Sequence, residues 1–301
     1  MKAIPQLYLH LLSLTLVISG VTFAQEVPPE PKPPQPDAAK RQYLRVSRDD
    51  QKQLVSMDTA IVRFVPQAGH KGPKYVDLIG AVHVGEGAYY QKLNEVFEKY
   101  DAVLYELVAP EGTRIPKNSK RKGAVTAIGS AQQGMKSMLE LEYQLEKIDY
   151  TKKNLVHADM SPEEFAKSME AKDESFSKMF WRMLGQGMAQ QQQGKGTSDV
   201  NLLIALFSSN RALRLKRIMA QQFEDLEGQM VAIDGPDGST IISERNKKCF
   251  EVLSREIEAG KKRIAIFYGA GHLADMEERL IRDFHMRRKS TRWLEAWKLT
   301  K

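Results

Sequence analysis

The chain has 301 residues, of which 42% are hydrophobic and 28% are charged, and it contains a single cysteine. One cysteine excludes an intrachain disulfide framework, so we expect a hydrophobic core to stabilise the fold. The 45 Lys and Arg residues exceed the 38 Asp and Glu residues by 7, a modest excess that indicates solubility and does not by itself indicate a nucleic-acid partner.

Two basic clusters, at residues 117–122 and 287–292, have no aromatic residues between their charges. Single-stranded nucleic acids are bound by basic side chains combined with aromatic rings on which the bases stack. We therefore interpret the clusters as a solvated loop and a solvated terminus. A transient contact with an anionic membrane surface or wall polymer stays open.

The first 24 residues have the pattern of an export signal. Lys2 provides the positive charge, residues 7–21 are mostly apolar, and small residues precede a cleavage site after residue 24. We expect an exported, periplasmic or secreted protein, with an uncleaved membrane anchor as the alternative. The proline-rich residues 25–40 predict an extended linker, and residues 41–301 are long enough for a single domain.

The first half of this domain predicts a strand, a helix and a second strand. Residues 59–65 and 75–82 are rich in β-branched residues and flank a run of turn residues, which predicts a hairpin. Apolar residues at helical spacing follow at residues 88–100, and residues 102–107 form the next predicted strand. The pattern favours an α/β fold with a central mixed sheet, in which functional groups gather at the carboxyl ends of the strands.

The second half begins with a large helical insertion at about residues 123–230. Within it, residues 154–158 predict a short strand. Ser161, Pro162 and Glu164 then have the spacing of a helix N-cap followed by a capping box. Three further elements complete the domain, a helix at residues 240–259, a buried strand at 262–268 and a helix at 276–283.

Two similar tetrapeptides end predicted strands, Gly-Ala-Val-His at residues 80–83 and Gly-Ala-Gly-His at residues 269–272. Glycine lets the chain turn after a strand, and parallel strands bring their carboxyl ends to one edge of a sheet. The whole chain has six histidines, so their repetition in this pattern favours a shared site. We expect His83 and His272 to converge, although each could also be a polar residue that caps its own strand.

Glu106 follows an apolar strand-like run, where an ionised carboxylate needs a partner such as a cation. Imidazole and carboxylate groups bind divalent zinc, manganese, iron or cobalt, and catalytic sites commonly combine three protein ligands with an open position. His83, Glu106 and His272 provide such a ligand set. A divalent ion held there would activate water and polarise a carbonyl group, which allows hydrolysis without a serine or cysteine nucleophile.

Three more residues are candidates for catalytic roles. Arg245, near the start of a predicted helix, would stabilise an oxyanion. Glu86, three residues after His83, is a candidate general base, and Tyr268 is a candidate hydrogen-bond donor. Cys249 lies in an amphipathic helical pattern, so we interpret it as a buried structural thiol. The sequence contains no serine-hydrolase elbow, zincin helix, P-loop or Gly-x-Gly-x-x-Gly fingerprint, which argues against the commonest hydrolase and nucleotide-binding classes.

The order of these segments resembles the TraB/PrgY/TIKI family. The resemblance rests on the strand ends at residues 80–83, 105–106 and 268–272 and on the Ser-Glu-Arg-Asn helix start at residues 243–246. It spans roughly residues 59–297. Members of that family carry two Gly-x-x-His motifs with a Glu and an Arg, and the animal members are described as metal-dependent proteases that act on secreted signalling peptides. The resemblance implies a TIKI-type metallohydrolase with a peptide or small-molecule substrate.

Two alternatives stay open, because the family belongs to a wider group that is similar to erythromycin esterases and haem-binding ChaN-like proteins. The same site could hydrolyse an ester or a lactone. It could also bind haem or a peptide through its histidines without turnover. A fold shared by such a group does not by itself determine the reaction.

Overall fold

The structure is a computed structural model, and it describes residues 42–113, 115, 139–174, 208, 210–224, 234 and 238–301. The described residues form strands and helices that we number in chain order. The strands are β1 Leu44–Arg48, β2 Leu54–Pro66, β3 Tyr75–Ala81, β4 Val84–Gly85, β5 Ala102–Tyr105, β6 Glu142–Tyr143, β7 Leu155–His157, β8 Arg263–Gly269 and β9 Met286–Lys298. The helices are α1 Gly87–Phe97, α2 Gln144–Lys147, α3 Pro162–Ala171, α4 Arg211–Glu224, α5 Arg245–Glu258 and α6 Leu273–Arg282.

A mixed sheet forms the centre of the fold, with the strand order β1-β2-β3-β8-β5-β7. The first part of β2 pairs with β1 and its later part pairs with β3. Strand β9 pairs antiparallel with most of the length of β2. Strands β3, β8, β5 and β7 are parallel to one another. This sheet and its helices confirm the predicted α/β class and the predicted hairpin of β2 and β3.

The four parallel strands bring their carboxyl ends to one edge of the sheet. In β8, Gly269 pairs with Ala81 of β3 and Phe267 pairs with Tyr105 of β5. On the far side of β5, Tyr105 pairs with His157 of β7. Strand β8 thus lies between β3 and β5, which both belong to the first half of the chain. Residues that come directly after these four strands therefore meet at the same edge.

Helix α3 begins with the predicted capping box. The backbone N–H of Glu164 donates to Ser161 Oγ at 3.1 Å, and the backbone N–H of Ser161 donates to Glu164 Oε2 at 2.7 Å. Pro162 occupies the first turn, where its missing N–H has no helical partner to lose. The start of this helix is therefore determined by local sequence.

A π-helical turn, Thr240–Glu244, leads directly into α5 and places Arg245 at the start of that helix. Gly238, just before the turn, has a φ of 68°. A Cβ at this position would lie 2.6 Å from Ser243 Oγ, so the turn requires glycine here. Turns of the π type are frequent at functional sites.

The hydrophobic core packs against the parallel strands. In α1, the predicted apolar face of Leu93, Val96 and Phe97 is buried, and the Phe97 ring meets Phe267 of β8 edge-on with 4.9 Å between ring centroids. In α5, Cys249 is fully buried, and burial raises the pKa of its thiol well above the usual value. This confirms the prediction that the single thiol is buried.

The sequence patterns do not predict β1 or most of β9. Residues 287–292, interpreted above as a solvated terminus, instead pair with β2 within β9. Their side chains are largely exposed on both sides of the strand, so no alternation of apolar and polar residues marks them as a strand. The prediction that these residues are solvated is therefore confirmed, and the strand that contains them was not predicted.

Several predictions fall outside the described residues, namely the export signal at residues 1–24, the linker at 25–40, the basic cluster at 117–122 and much of the insertion. All described residues belong to one compact unit, Ala39–Lys301. Among them, no helix combines the length and apolar character that a membrane crossing requires.

Asp101 joins the first residues of β5 and β8. Its carboxylate accepts hydrogen bonds from the Arg263 side chain at 2.7 and 3.0 Å and from the backbone N–H groups of Lys262 and Arg263 at 3.0 and 2.9 Å. The hydrogen bonds from the Arg263 side chain have the largest effect, and together with the two backbone bonds they lower the pKa of Asp101 to about 2. We expect Asp101→Asn to lower the free energy of unfolding by about 1 kcal/mol at pH 7, a small value because the pair is exposed to solvent.

The difference in free energy of unfolding between the wild type and Asp101→Asn depends on pH, because the pKa of Asp101 is lower in the folded protein than in the unfolded chain. An aspartate in the unfolded chain has a pKa of about 3.9, so the stabilisation is fully present above about pH 4 and is lost as the pH falls toward 2. Urea denaturation of both proteins between pH 7 and pH 2.5 measures it. Asp50→Asn is the control, because exposed Asp50 has no hydrogen bond or ion pair with a described residue. A difference that stayed constant down to pH 2.5 would contradict this role.

Candidate functional site

Glu106 lies at the centre of the edge where the parallel strands end. Its backbone N–H donates to the carbonyl of Phe267 at 3.3 Å, which extends the pairing of β5 and β8 by one residue. Its Oε2 accepts a hydrogen bond of 2.7 Å from the backbone N–H of Gly269. A Cβ at Gly269 would come within 3.3 Å of the same oxygen, so glycine leaves room for the carboxylate. Neither this glycine nor Gly80 has the positive φ of a glycine turn.

Arg245 reaches this edge from the start of α5 and binds two carboxylates. Its Nη2 donates to Glu106 Oε1 at 2.7 Å and to Asp159 Oδ2 at 2.6 Å, and its Nε donates to Asp159 Oδ1 at 3.0 Å. Asp159 comes two residues after β7, and its side chain is completely buried. Because such charge-assisted bonds are strong, Arg245 connects α5 to the ends of both β5 and β7.

His272 follows β8 at the end of a short 3-10 turn, Ala270–His272, and is buried. Its Nε2 lies 3.6 Å from Glu106 Oε1, which is longer than a direct hydrogen bond. Its Nδ1 lies 2.8 Å from Oδ1 of Asn246, the residue after Arg245 in α5. The start of α5 therefore contacts both the carboxylate and the imidazole of the site.

The buried groups carry an excess of negative charge. Arg245 contributes one positive charge, while Glu106 and Asp159 contribute one negative charge each, which sums to −1. Burial lowers the pKa of His272 below its usual value, so the neutral imidazole is favoured at neutral pH. Burial alone would raise the pKa of Glu106, but the positive charges of Arg245, and of His272 and His83 when protonated, hold it well below its usual value.

His83 lies at the same edge, two residues after β3, but its side chain is exposed. Its carbonyl accepts a hydrogen bond of 2.9 Å from the backbone N–H of Gln144, the first residue of α2. Within the described part of the chain, no three His, Cys, Asp or Glu side chains form a group that could hold a metal ion as they stand. The structure therefore brings Glu106 and His272 together and leaves His83 beside them.

The Glu86 carboxylate, a candidate general base, is hydrogen-bonded to Lys216 and to the backbone of Lys298. Its Oε1 accepts a hydrogen bond of 2.7 Å from Lys216 Nζ and one of 3.3 Å from the backbone N–H of Lys298. Its own backbone N–H donates to the carbonyl of Ala296 at 2.9 Å. These bonds connect the loop after His83 to α4 and β9.

Tyr268 is fully buried, and its hydroxyl donates a hydrogen bond to the carbonyl of Ala158. The donor that the sequence suggested for catalysis is therefore already used within the core. Burial raises the pKa of this phenol well above its usual value, so it stays protonated. The Tyr268 ring contacts His272 edge-on, with 5.3 Å between ring centroids, and so helps to orient the imidazole.

Sequence reasoning misses two residues of this site, Asp159 and Asn246. Asp159 directly follows the predicted strand at residues 154–158. Glu106 has the same position after its own strand, and that position made it a candidate. The strand before Asp159 has only three residues in the structure, too few for its pattern to draw attention to the next carboxylate. No sequence pattern marks Asn246 as a site residue, because a single asparagine within a predicted helix is not unusual.

Comparisons with known proteins give no family assignment. No protein-family model, curated protein or solved structure matches the chain.

Arg245→Leu removes the cation that Glu106 and Asp159 share, and it leaves two carboxylates buried without a positive partner. We expect this change to lower the free energy of unfolding by about 3–5 kcal/mol, the usual cost of breaking a buried ion pair by removing one partner. Urea denaturation followed by circular dichroism measures the loss.

Arg282→Leu is the matched control, because Arg282 pairs with Asp283 on the surface, where their side chains are 66% and 44% exposed. This control should lose less than about 1 kcal/mol. The double variant Arg245→Leu/Asp159→Leu should recover part of the loss, since it also removes one unpaired carboxylate. A small loss from Arg245→Leu, equal to that of the control, would contradict the buried cluster.

Proposed function

We propose that this protein is an exported metal-dependent hydrolase and that it acts as a peptidase of the TIKI type. The proposal is supported by the imidazole, carboxylate and guanidinium groups that meet at the carboxyl ends of the parallel strands. It is also supported by the family resemblance of the segments that carry these groups.

The observation that carries the proposal is the gap between His272 Nε2 and Glu106 Oε1. These atoms are 3.6 Å apart, no hydrogen bond joins them, and both side chains are largely buried. The surrounding charges sum to −1, and a buried net charge is costly unless a partner neutralises it. A cation held between the two atoms would supply the missing positive charge.

The donor set fits a divalent metal ion. Neutral imidazole nitrogen and carboxylate oxygen are ligands for zinc, manganese, iron and cobalt. Two ligand atoms that are each about 2 Å from one ion can be at most about 4 Å apart, and the observed 3.6 Å satisfies this limit. His272 and Glu106 would hold the ion. His83 would add the third ligand, because its exposed side chain can rotate toward the edge.

A divalent ion bound there would supply a water nucleophile at neutral pH and polarise a substrate carbonyl. We assign Glu106 to metal binding and not to proton transfer, because its lowered pKa makes it a weak base near neutral pH. Arg245 would stabilise the developing oxyanion. Its Nη1 makes no hydrogen bond with a described residue and is the atom available to donate.

The setting and the substrate are proposed from the sequence. The export pattern of residues 1–24 and the single cysteine suit a protein that acts outside the cytoplasm without disulfides. The TIKI resemblance favours a peptide substrate. Hydrolysis of an ester or lactone, and binding of haem or a peptide without turnover, are the alternative outcomes of the experiment that follows.

His272→Ala and Glu106→Gln each remove one proposed metal ligand. We expect both variants to lose bound metal and to lose hydrolysis of a peptide library by more than about 100-fold, since removing a residue that only supports a ligand already costs about 10- to 100-fold. Elemental analysis of the purified proteins, and peptide hydrolysis after reconstitution with Mn²⁺, Zn²⁺, Co²⁺ or Fe²⁺, measure these effects.

His70→Ala is the control, because His70 is an exposed histidine in the loop between β2 and β3. It should keep wild-type metal content and activity. Hydrolysis of esters but not of matched amides would replace the peptidase by an esterase. A haem absorbance band that is lost in His83→Ala or His272→Ala, without hydrolysis, would favour a binding protein. Unchanged metal content and hydrolysis in both ligand variants would contradict the proposal.

A further inference from the structure

A chain of hydrogen bonds runs behind the site from α6 to the imidazole of His272. Arg279 Nε donates to Asp275 Oδ2 at 2.6 Å, and Asn246 Nδ2 donates to the same oxygen at 2.7 Å. Asn246 Nδ2 also lies 3.1 Å from the carbonyl oxygen of His272, and Asn246 Oδ1 lies 2.8 Å from His272 Nδ1. Asn246 is completely buried, so these partners satisfy both ends of its amide.

The partners of Asn246 determine which way its amide points. A carboxylate that binds Arg279 and a backbone carbonyl can only accept hydrogen bonds, so the atom that faces both must be the amide nitrogen. The opposite orientation would place the Asn246 oxygen against two acceptors. The amide oxygen therefore faces His272 Nδ1.

The orientation of the amide in turn determines where His272 carries its proton. An amide oxygen can only accept, so Nδ1 must be the donor in the 2.8 Å bond. In the neutral imidazole, one nitrogen is protonated and the other has a lone pair. Nε2 therefore presents its lone pair to the gap of 3.6 Å that separates it from Glu106 Oε1.

The competing tautomer would be favoured if Asn246 were absent. A proton on Nε2 would point toward the Glu106 carboxylate and could form a hydrogen bond with it after a small movement of the ring. That bond would occupy the gap and would leave no lone pair there for a metal ion. The amide of Asn246 opposes this outcome by keeping the proton on the far side of the ring.

We propose that Asn246 is a positioning residue that holds His272 in the Nδ1-protonated tautomer and so keeps Nε2 available as a metal ligand. The importance of the tautomer for activity rests on the proposed function, whereas the tautomer itself does not. Arg245 and Asn246 are consecutive, so the start of α5 orients both the carboxylate and the imidazole of the site. The support of ligating histidines by a hydrogen bond to the other ring nitrogen is general in metal sites.

The test is nitrogen NMR of the metal-free protein labelled with ¹⁵N-histidine, at a pH where imidazole is neutral. The His272 signals are identified by their loss in His272→Ala. We expect a protonated Nδ1 and an unprotonated Nε2 in the wild type. Asn246→Leu, which removes the acceptor oxygen, should shift His272 toward the Nε2-protonated form. Asn246→Ser provides a smaller change if the leucine variant does not fold.

Calorimetric titration with Zn²⁺ gives a second readout. Asn246→Leu should weaken binding by about 10- to 100-fold. Asn154→Leu is the control, because Asn154 is a part-buried amide that donates to the carbonyls of Phe97 and Tyr100 instead. It should leave the His272 tautomer and Zn²⁺ affinity unchanged.

The outcomes separate this inference from the proposed function. An Nε2-protonated His272 in the wild type, or an unchanged tautomer in both Asn246→Leu and Asn246→Ser, would overturn the role of Asn246. The expected tautomers without Zn²⁺ binding by the wild type would support that role and would instead count against the metal-dependent hydrolase.

Discussion

The buried ion cluster of Arg245 with Glu106 and Asp159 is the interaction on which the geometry of the site depends. It joins the start of one helix to the ends of two strands that are neighbours in the sheet but lie about 50 residues apart in sequence. The guanidinium donates three hydrogen bonds to the two carboxylates, yet it leaves one negative charge in excess. That excess makes the neighbouring gap next to His272 attractive to a cation.

The topology explains why distant motifs meet. Strand β8, from the last part of the chain, inserts between β3 and β5, so its end brings His272 beside Glu106. Sequence reasoning could anticipate this meeting, because parallel strands share an edge and both histidines follow apolar runs. It could not anticipate that the His83 side chain would lie exposed, since a side-chain rotamer depends on packing that a motif does not encode.

Local signals predicted the local parts of the fold well. The capping box of Ser161 and Glu164 and the apolar face of α1 are each determined by residues a few positions apart, and both are present. Strand β9 was missed because its stability comes from pairing with β2, more than 200 residues away, and not from its own pattern. Asp159 was missed for a related reason, because its importance comes from Arg245, which is 86 residues away.

The gap between His272 Nε2 and Glu106 Oε1 is the cation site that we propose. A crystal structure of the protein grown with Mn²⁺, analysed by anomalous scattering of the metal, tests it most directly. We expect an anomalous peak within bonding distance of both atoms, with His83 turned toward it. A map without a peak at this position, in which His272 donates a hydrogen bond to Glu106, would contradict it.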